Sequence, residues 1–211
     1  MKHAIIIAHP RAQSFTGSAA QAYAEACEAL GHDTTVRDLY RIGFDPCLKV
    51  GELPFANPFR PEADVMIERN ELDDCDVFAF FYPLWLNAPP AIIKGYLERA
   101  FGFGFAYGAG GHSYRLLLSG RKMISFSSSG APLGWIKQIG ALSAAKTLFD
   151  DYFANLCGMT ALEHVHVGGV LPGASTFFVE ARLYDVRKKV NDHFGENHGT
   201  HDDPPGTGPH P

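Results

Sequence analysis

Residues 78–101 (FAFFYPLWLNAPPAIIKGYLERAF) constrain the fold more than any other part of the chain. They lead from the most strongly apolar strand of the chain, over residues 75–82, into the aromatic turn Pro83-Leu84-Trp85-Leu86-Asn87, and then into a segment of helical period. An unbroken apolar strand has to be covered on both faces, and helices lying across a parallel sheet provide that cover. Pro90 suits the first turn of the following helix, whose buried side is expected to be Ile92, Ile93, Tyr96, Leu97 and Ala100.

The rest of the chain repeats this alternation. Residues 4–8 read as a short buried strand ending at His9-Pro10, and Phe15, Ala19, Ala22, Tyr23, Ala26, Ala29 and Leu30 recur at helical spacing before Gly31. Residues 33–39 alternate polar and apolar as a more exposed strand. Residues 40–62, punctuated by Pro46, Pro54, Pro58 and Pro61, read as a long irregular excursion of the kind that carries function or an interface. A helix over 64–72, a glycine and aromatic loop over 102–111, a strand over 122–127, a helical segment over 139–156, a strand over 162–167 and a helix over 176–194 complete the pattern. Five strands alternating with helices predict an α/β fold, a five-stranded parallel sheet with helices on both faces, formed by one domain over residues 1–194. The tail 195–211 has almost no apolar residue to bury and is expected to be disordered; the spacing of His193, His198, His201 and His210 is too irregular for a structural metal site.

Composition narrows the class. Net charge is −5 with 19% charged residues scattered along the chain, which gives no basic surface for nucleic acid. No apolar run approaches the roughly 20 residues that span a bilayer, and no secretory leader is evident, so no membrane insertion is expected. The four cysteines, Cys27, Cys47, Cys75 and Cys157, have neither CxxC nor zinc spacing; they read mostly as buried small hydrophobes in a reducing, cytoplasmic setting.

Open α/β sheets hold ligands outside the carboxyl ends of their strands, and three such ends carry unusual residues here. The first is His9 with Ser14, Phe15 and Thr16, where amides and hydroxyls opening a helix can take a phosphate; the bland reading is a helix cap. The second is the turn Pro83, Leu84, Trp85 and Leu86, a flat apolar surface beside backbone amides. The third is Ser127-Ser128-Ser129-Gly130, whose small residues let a planar ring approach the main chain. Neither GxxxxGK[ST] nor a GxGxxG following a strand is present, and GxSxG is missing, so nucleoside triphosphatase, dinucleotide Rossmann and serine hydrolase sites are not encoded. Phe105 and Tyr107 could edge a second flat molecule or pack in a core or dimer interface.

In this order along residues 3–190, these motifs resemble the flavodoxin-like NAD(P)H:quinone oxidoreductase family, the DT-diaphorase group. The most specific part is Pro90-Ala91-Ile92-Ile93-Lys94-Gly95-Tyr96-Leu97-Glu98-Arg99. The resemblance implies a noncovalent flavin, FAD with FMN as the alternative, at a homodimer interface, with NAD(P)H as co-substrate and a quinone-like acceptor. It places His9, Ser14, Phe15 and Thr16 on the phosphates, Pro83, Leu84, Trp85 and Leu86 along the isoalloxazine, and Ser127, Ser128, Ser129 and Gly130 at its polar edge. Phe105, Ala106 and Tyr107 would shape the shared nicotinamide and acceptor pocket, Tyr107 as the catalytic residue.

The chain departs from the group where the animal members have a Tyr and a His after the serine or threonine turn; it carries Trp135 and Ala141 there. Charge on the reduced ring must then be met by backbone donors, water or another side chain, with His112 and Lys137 as candidates. Two functions follow as expectations: an NAD(P)H-dependent flavin oxidoreductase reducing a quinone-like acceptor by alternating occupancy of one pocket, or a flavin-binding regulatory subunit of a transporter or other partner. A third reading is a non-flavin α/β protein whose strand ends only pack and turn.

Overall fold

The computed structural model describes residues 1–110 and 113–195. The chain opens with β1 (Lys2–Ile7), α1 (Phe15–Ala29) and β2 (Asp33–Asp38), and continues through α2 (Ala63–Leu72), β3 (Val77–Pro83) and α3 (Ala91–Arg99). A short antiparallel pair, β4 (Tyr107–Ala109) and β5 (Tyr114–Leu116), precedes β6 (Lys122–Ser128). Then come α4 (Leu133–Gln138), α5 (Ala141–Ala145), a π turn over Lys146–Asp151, α6 (Tyr152–Cys157), β7 (Thr160–Val167) and α7 (Thr176–Phe194). The main sheet is parallel throughout in the order β2-β1-β3-β6-β7, the five-stranded sheet expected of the resemblance.

Alternation divides the core between the two faces of the sheet. Phe78, Phe80 and Tyr82 of β3 face α3 and α6, where Ile93, Tyr96 and Phe153 meet them. Ala79 and Phe81 face the opposite way, onto Ala19 and Tyr23 of α1 and Leu183, Val186 and Val190 of α7. All of β3 is buried, which accounts for its unbroken apolar run. Of the cysteines, Cys27, Cys75 and Cys157 are buried as expected, and Cys47 is exposed.

Two segments differ from the sequence reading. The helical segment read over 139–156 is present as the contiguous α5, π turn and α6, but the short α4 before it, set off by Gly140 at φ +73°, was not anticipated. Residues 102–111 contain β4, a strand three residues long and so too short for alternation to show. Helix α3 buries Ile92, Ile93, Tyr96 and Ala100 as predicted, with Leu97 half-buried. His193 lies in α7, with Nε2 at 2.9 Å from Glu163; the tail expectation, with His198, His201 and His210, and the candidate His112 lie outside the described residues.

The excursion over 40–62 is irregular apart from a single 3₁₀ turn at Val50–Glu52, and α3 clamps it in place. Arg99, with a side chain 1% exposed, pairs with Glu52 at 2.8 Å and Asp64 at 2.7 Å and donates to the Asp45 carbonyl at 2.5 Å. One helical turn earlier, Gly95 packs so closely that a Cβ there would run into the main chain of Pro46. Tyr96 donates its hydroxyl to Glu68 at 2.8 Å. The Lys-Gly-aromatic-x-Glu-Arg segment therefore braces the excursion.

Candidate active site

The strand order reverses direction between β1 and β3, where β2 and β6 extend the sheet to opposite sides. Such a switch point leaves a crevice at the carboxyl ends of the strands. A cavity of about 880 Å³ opens there, lined by His9, Arg11, the residues 12–18, Pro83, Leu84, Trp85, Ser128, Ser129 and Gly130. It continues along α1 past Gln21 to Glu25 and is faced there by Val179, Leu183 and Arg187 of α7 and by the loop 170–174.

Each wall has a local origin. Ser14 caps α1, its Oγ accepting from the Gly17 amide at 3.1 Å. The amides of Phe15 and Thr16, first in the helix, have no carbonyl of their own helix to reach, and the positive end of the helix dipole lies with them. The cap and the phosphate readings are thus compatible: Ser14 takes one orphan amide and leaves others for an anion. The His9 ring accepts from the Arg11 amide at 3.1 Å and lies 5.8 Å from the Trp85 ring, joining the ends of β1 and β3. Leu84 is buried and Trp85 is 45% exposed, so the indole forms an open wall.

The sequence-predicted residues divide into those at the cavity and those away from it. His9, Ser14, Phe15, Thr16, Pro83, Leu84, Trp85, Ser128, Ser129 and Gly130 meet at the cavity. Leu86 is fully exposed with φ +53° and is not on its wall. Phe105, Ala106 and Tyr107 also lie off the wall: Ala106 is buried, and Phe105 and Tyr107 pack half-buried against the core. Burial, followed by the neighbouring Tyr114, pushes the Tyr107 hydroxyl above its ordinary range.

Ser127 is buried beneath the cavity floor, at 3% exposure, and belongs to a polar cluster that the sequence reading missed. Its Oγ lies 2.6 Å from His164 Nε2 and 2.8 Å from His166 Nδ1. His164 Nδ1 lies 2.5 Å from Asp150 Oδ2, and His166 Nε2 lies 2.9 Å from Ser129 Oγ on the cavity wall. Ser125 donates to the other Asp150 oxygen at 2.5 Å. The register Ser125↔His164 and Ser127↔His166 between β6 and β7 brings these side chains to one face of the sheet, and the π turn delivers Asp150 to them. Burial first, then the neighbouring His164, pulls the His166 pKa down to about 4. The available signal was polar residues at every second position, Ser125/Ser127/Ser129 alternating with Phe126 on one strand and His164/His166 flanking Val165 on the next.

Among known proteins, the Flavodoxin-like fold family model matches residues 1–190. A Haemophilus influenzae protein named an uncharacterized NAD(P)H oxidoreductase is 31% identical over 171 residues, covering 81% of this chain and 85% of its own length. The guinea-pig (Cavia porcellus) NAD(P)H dehydrogenase [quinone] 1 is 32% identical over 120 residues, 49% of this chain and 44% of that enzyme. The solved structure of an NAD(P)H:quinone oxidoreductase from Methanothermobacter marburgensis superposes with a TM-score of 0.78 at 24% identity over 94% of this chain and 98% of that one, a likeness of fold. With the family model matched over residues 1–190 and the Haemophilus influenzae relative covering 81% of its length, the chain belongs to the flavodoxin-like family of NAD(P)H oxidoreductases.

Proposed function

We propose that the chain is an NAD(P)H-dependent flavin oxidoreductase that passes two electrons to a quinone-like acceptor, with one domain over residues 1–194 carrying the activity. The observation that carries this reading is the meeting of three strand ends in one cavity, with anion-binding amides at one end and a flat aromatic wall at the other. The names of the relatives, NAD(P)H oxidoreductase and NAD(P)H dehydrogenase [quinone], support turnover and not the regulatory-subunit reading.

The donor set fits a flavin. The Phe15 and Thr16 amides with Arg11 would hold phosphate, Leu84 and Trp85 would lie along the ring, and Ser128, Ser129 and Gly130 would meet its polar edge. FAD is the proposed form. From Ser14 to Glu25 the cavity follows α1 for roughly 16 Å at the helical rise, which is room beyond a single phosphate, and Arg187 stands at its far end. A Bacillus anthracis azoreductase of the same fold was solved with FMN, at 16% identity and a TM-score of 0.70, so FMN is the alternative that ligand release must distinguish.

When bound, a flavin supplies the hydride-accepting ring, and the protein's task is placement. Leu84 and the buried end of β3 set the depth of the ring, while Trp85 leaves one side open for NAD(P)H and acceptor in turn. That side needs cover. Asn87 Nδ2 donates to the Ala141 carbonyl at 3.2 Å, bringing the Trp85 and Leu86 turn against α5, and exposed Trp135, Ile139, Leu148 and Tyr152 follow on the neighbouring elements. We take this apolar surface as the homodimer interface, across which Phe105, Ala106 and Tyr107 of a second copy complete the acceptor pocket.

Heating purified protein and chromatographing what is released tests the cofactor, with FAD expected. Steady-state kinetics with NADH or NADPH and a benzoquinone should give parallel double-reciprocal lines. Colourless protein that also leaves added flavin fluorescence unquenched would remove the basis of the reading.

A further inference from the structure

The buried cluster under the cavity floor has a connectivity that packing alone does not require. Asp150, His164 and Ser127 stand in the order of a hydrolytic triad, at 2.5 and 2.6 Å. Ser127 cannot serve as a nucleophile, however, because it is 3% exposed and its oxygen is shared with His166 at 2.8 Å. The line of hydrogen bonds instead continues through His166 to Ser129, which does reach the cavity.

We propose that Ser129, His166, Ser127 and His164 form a proton wire that links the cavity wall to a buried imidazole and carboxylate pair, His164 and Asp150. The assignment deepens the flavoprotein reading and rests on it for the wire's purpose: the pair would hold one proton in reserve for the two-electron chemistry above it.

The chain of bonds has two complete arrangements. In the first, neutral His164 donates from Nδ1 to Asp150 and accepts from Ser127; Ser127 accepts from Nδ1 of neutral His166, and His166 Nε2 accepts from Ser129. A proton arriving at Ser129 Oγ reverses every link. The Ser129 proton passes to His166 Nε2, the His166 Nδ1 proton passes to Ser127, and the Ser127 proton passes to His164 Nε2. One N–H or O–H bond forms for each that breaks, and a single positive charge moves from the wall to His164. Asp150, held by Ser125, offsets that charge, and Ser129 turns its hydroxyl to the Ala131 carbonyl at 3.0 Å. Both arrangements leave every donor in the chain paired, so either can exist in a buried site. His166, whose pKa burial lowers to about 4, hands the proton on without keeping it.

Among the described residues, the titratable groups around His164 are Asp150 from the π turn, His166 on its own strand and Tyr82 of β3, whose ring centroid lies 6.2 Å away. Burial, then the Asp150 charge, pushes the Tyr82 hydroxyl well above its ordinary range, so it stays protonated.

The wire makes a spectroscopic prediction about the full-length protein. In long-range ¹H–¹⁵N spectra recorded against pH, His166 should change from the Nδ1–H to the Nε2–H tautomer, remaining neutral, at the midpoint where His164 takes up its proton. Ser127→Ala should leave His166 fixed in one tautomer across the same pH range. A His166 that keeps its tautomer in the wild-type protein, that becomes cationic itself, or whose partner His164 stays neutral down to acid unfolding, overturns the proposal. In flavin-loaded protein, His166→Phe should slow the acceptor half-reaction about tenfold and abolish its dependence on His164 protonation, with hydride uptake from NAD(P)H within twofold. Equal slowing of both half-reactions would show a merely structural role. A parallel flavin titration separates the two claims: tautomer coupling without flavin binding sinks the flavoprotein reading, and flavin binding with an uncoupled His166 sinks the wire.

Discussion

Trp85 and Trp135 show how a strand end decides the part a side chain plays. Both are about half exposed, yet only Trp85 lines the cavity. Trp85→Ala should weaken flavin binding at least tenfold and Trp135→Ala less than twofold, as read by fluorescence titration; equal losses would mean the ring lies elsewhere. Residues such as His9, Ser14 and Trp85 were legible because His9 and Trp85 stand just past a strand and Ser14 opens the next helix, so their neighbourhood is encoded locally. His164 and Asp150 were not. Fourteen positions separate them, and they meet only because β7 pairs with β6 and a π turn rotates Asp150 inward. Deleting that carboxylate should be costly: Asp150→Ala leaves the buried Ser125 and His164 without their partner, a loss of about 1–3 kcal/mol measurable by urea unfolding.

The family signature on α3 acquires a physical meaning at the scale of elements. Its glycine and arginine hold residues 40–62 in place. Gly95→Ala should destabilise the protein by about 1–3 kcal/mol through overpacking against Pro46, without direct damage to the cavity. Arg99→Met leaves Glu52 buried and unpaired, and a cost of about 3–5 kcal/mol is expected. Both are readable by thermal or urea denaturation, and a wild-type midpoint in either variant would show that the excursion holds itself. The strands of the main sheet and the long helices were recoverable from apolar runs and period, α7 to the residue. Helix α4 was not, since six residues set off by Gly140 are too few for a helical period to show.

The whole molecule should be acid-sensitive for reasons lodged at both ends of its sheet. His3, near the start of β1, is buried against Tyr23, His32 and Phe194, and burial lowers its pKa from 6.5 to about 4. His166, near the opposite end of β7, is lowered to the same value by burial. The unfolded chain binds protons at these positions that the folded chain does not, so their contribution to stability should fall as pH drops from about 6.5 to about 4 and level off below. His3→Gln should flatten this fall in urea titrations between pH 7 and pH 4.5; an unchanged slope would place the acid sensitivity elsewhere. The layering was implied by the alternation of strands and helices, whereas the proposed closing of the cavity by a second copy should appear as a concentration-dependent dimer in sedimentation. No helix of the described residues is long and apolar enough to cross a membrane.

The pairing of β6 with β7 has one more consequence. Side chains alternate along a strand, so sliding β7 by a single residue would turn Glu163 and Val165 toward the face where Asp150 and Ser127 wait. A carboxylate would then confront a carboxylate, and the hydroxyls of Ser127 and Ser129 would lose their imidazoles. The hydrogen-bonded line therefore favours the observed register over the misaligned one by a penalty that apolar side chains of similar size could not impose.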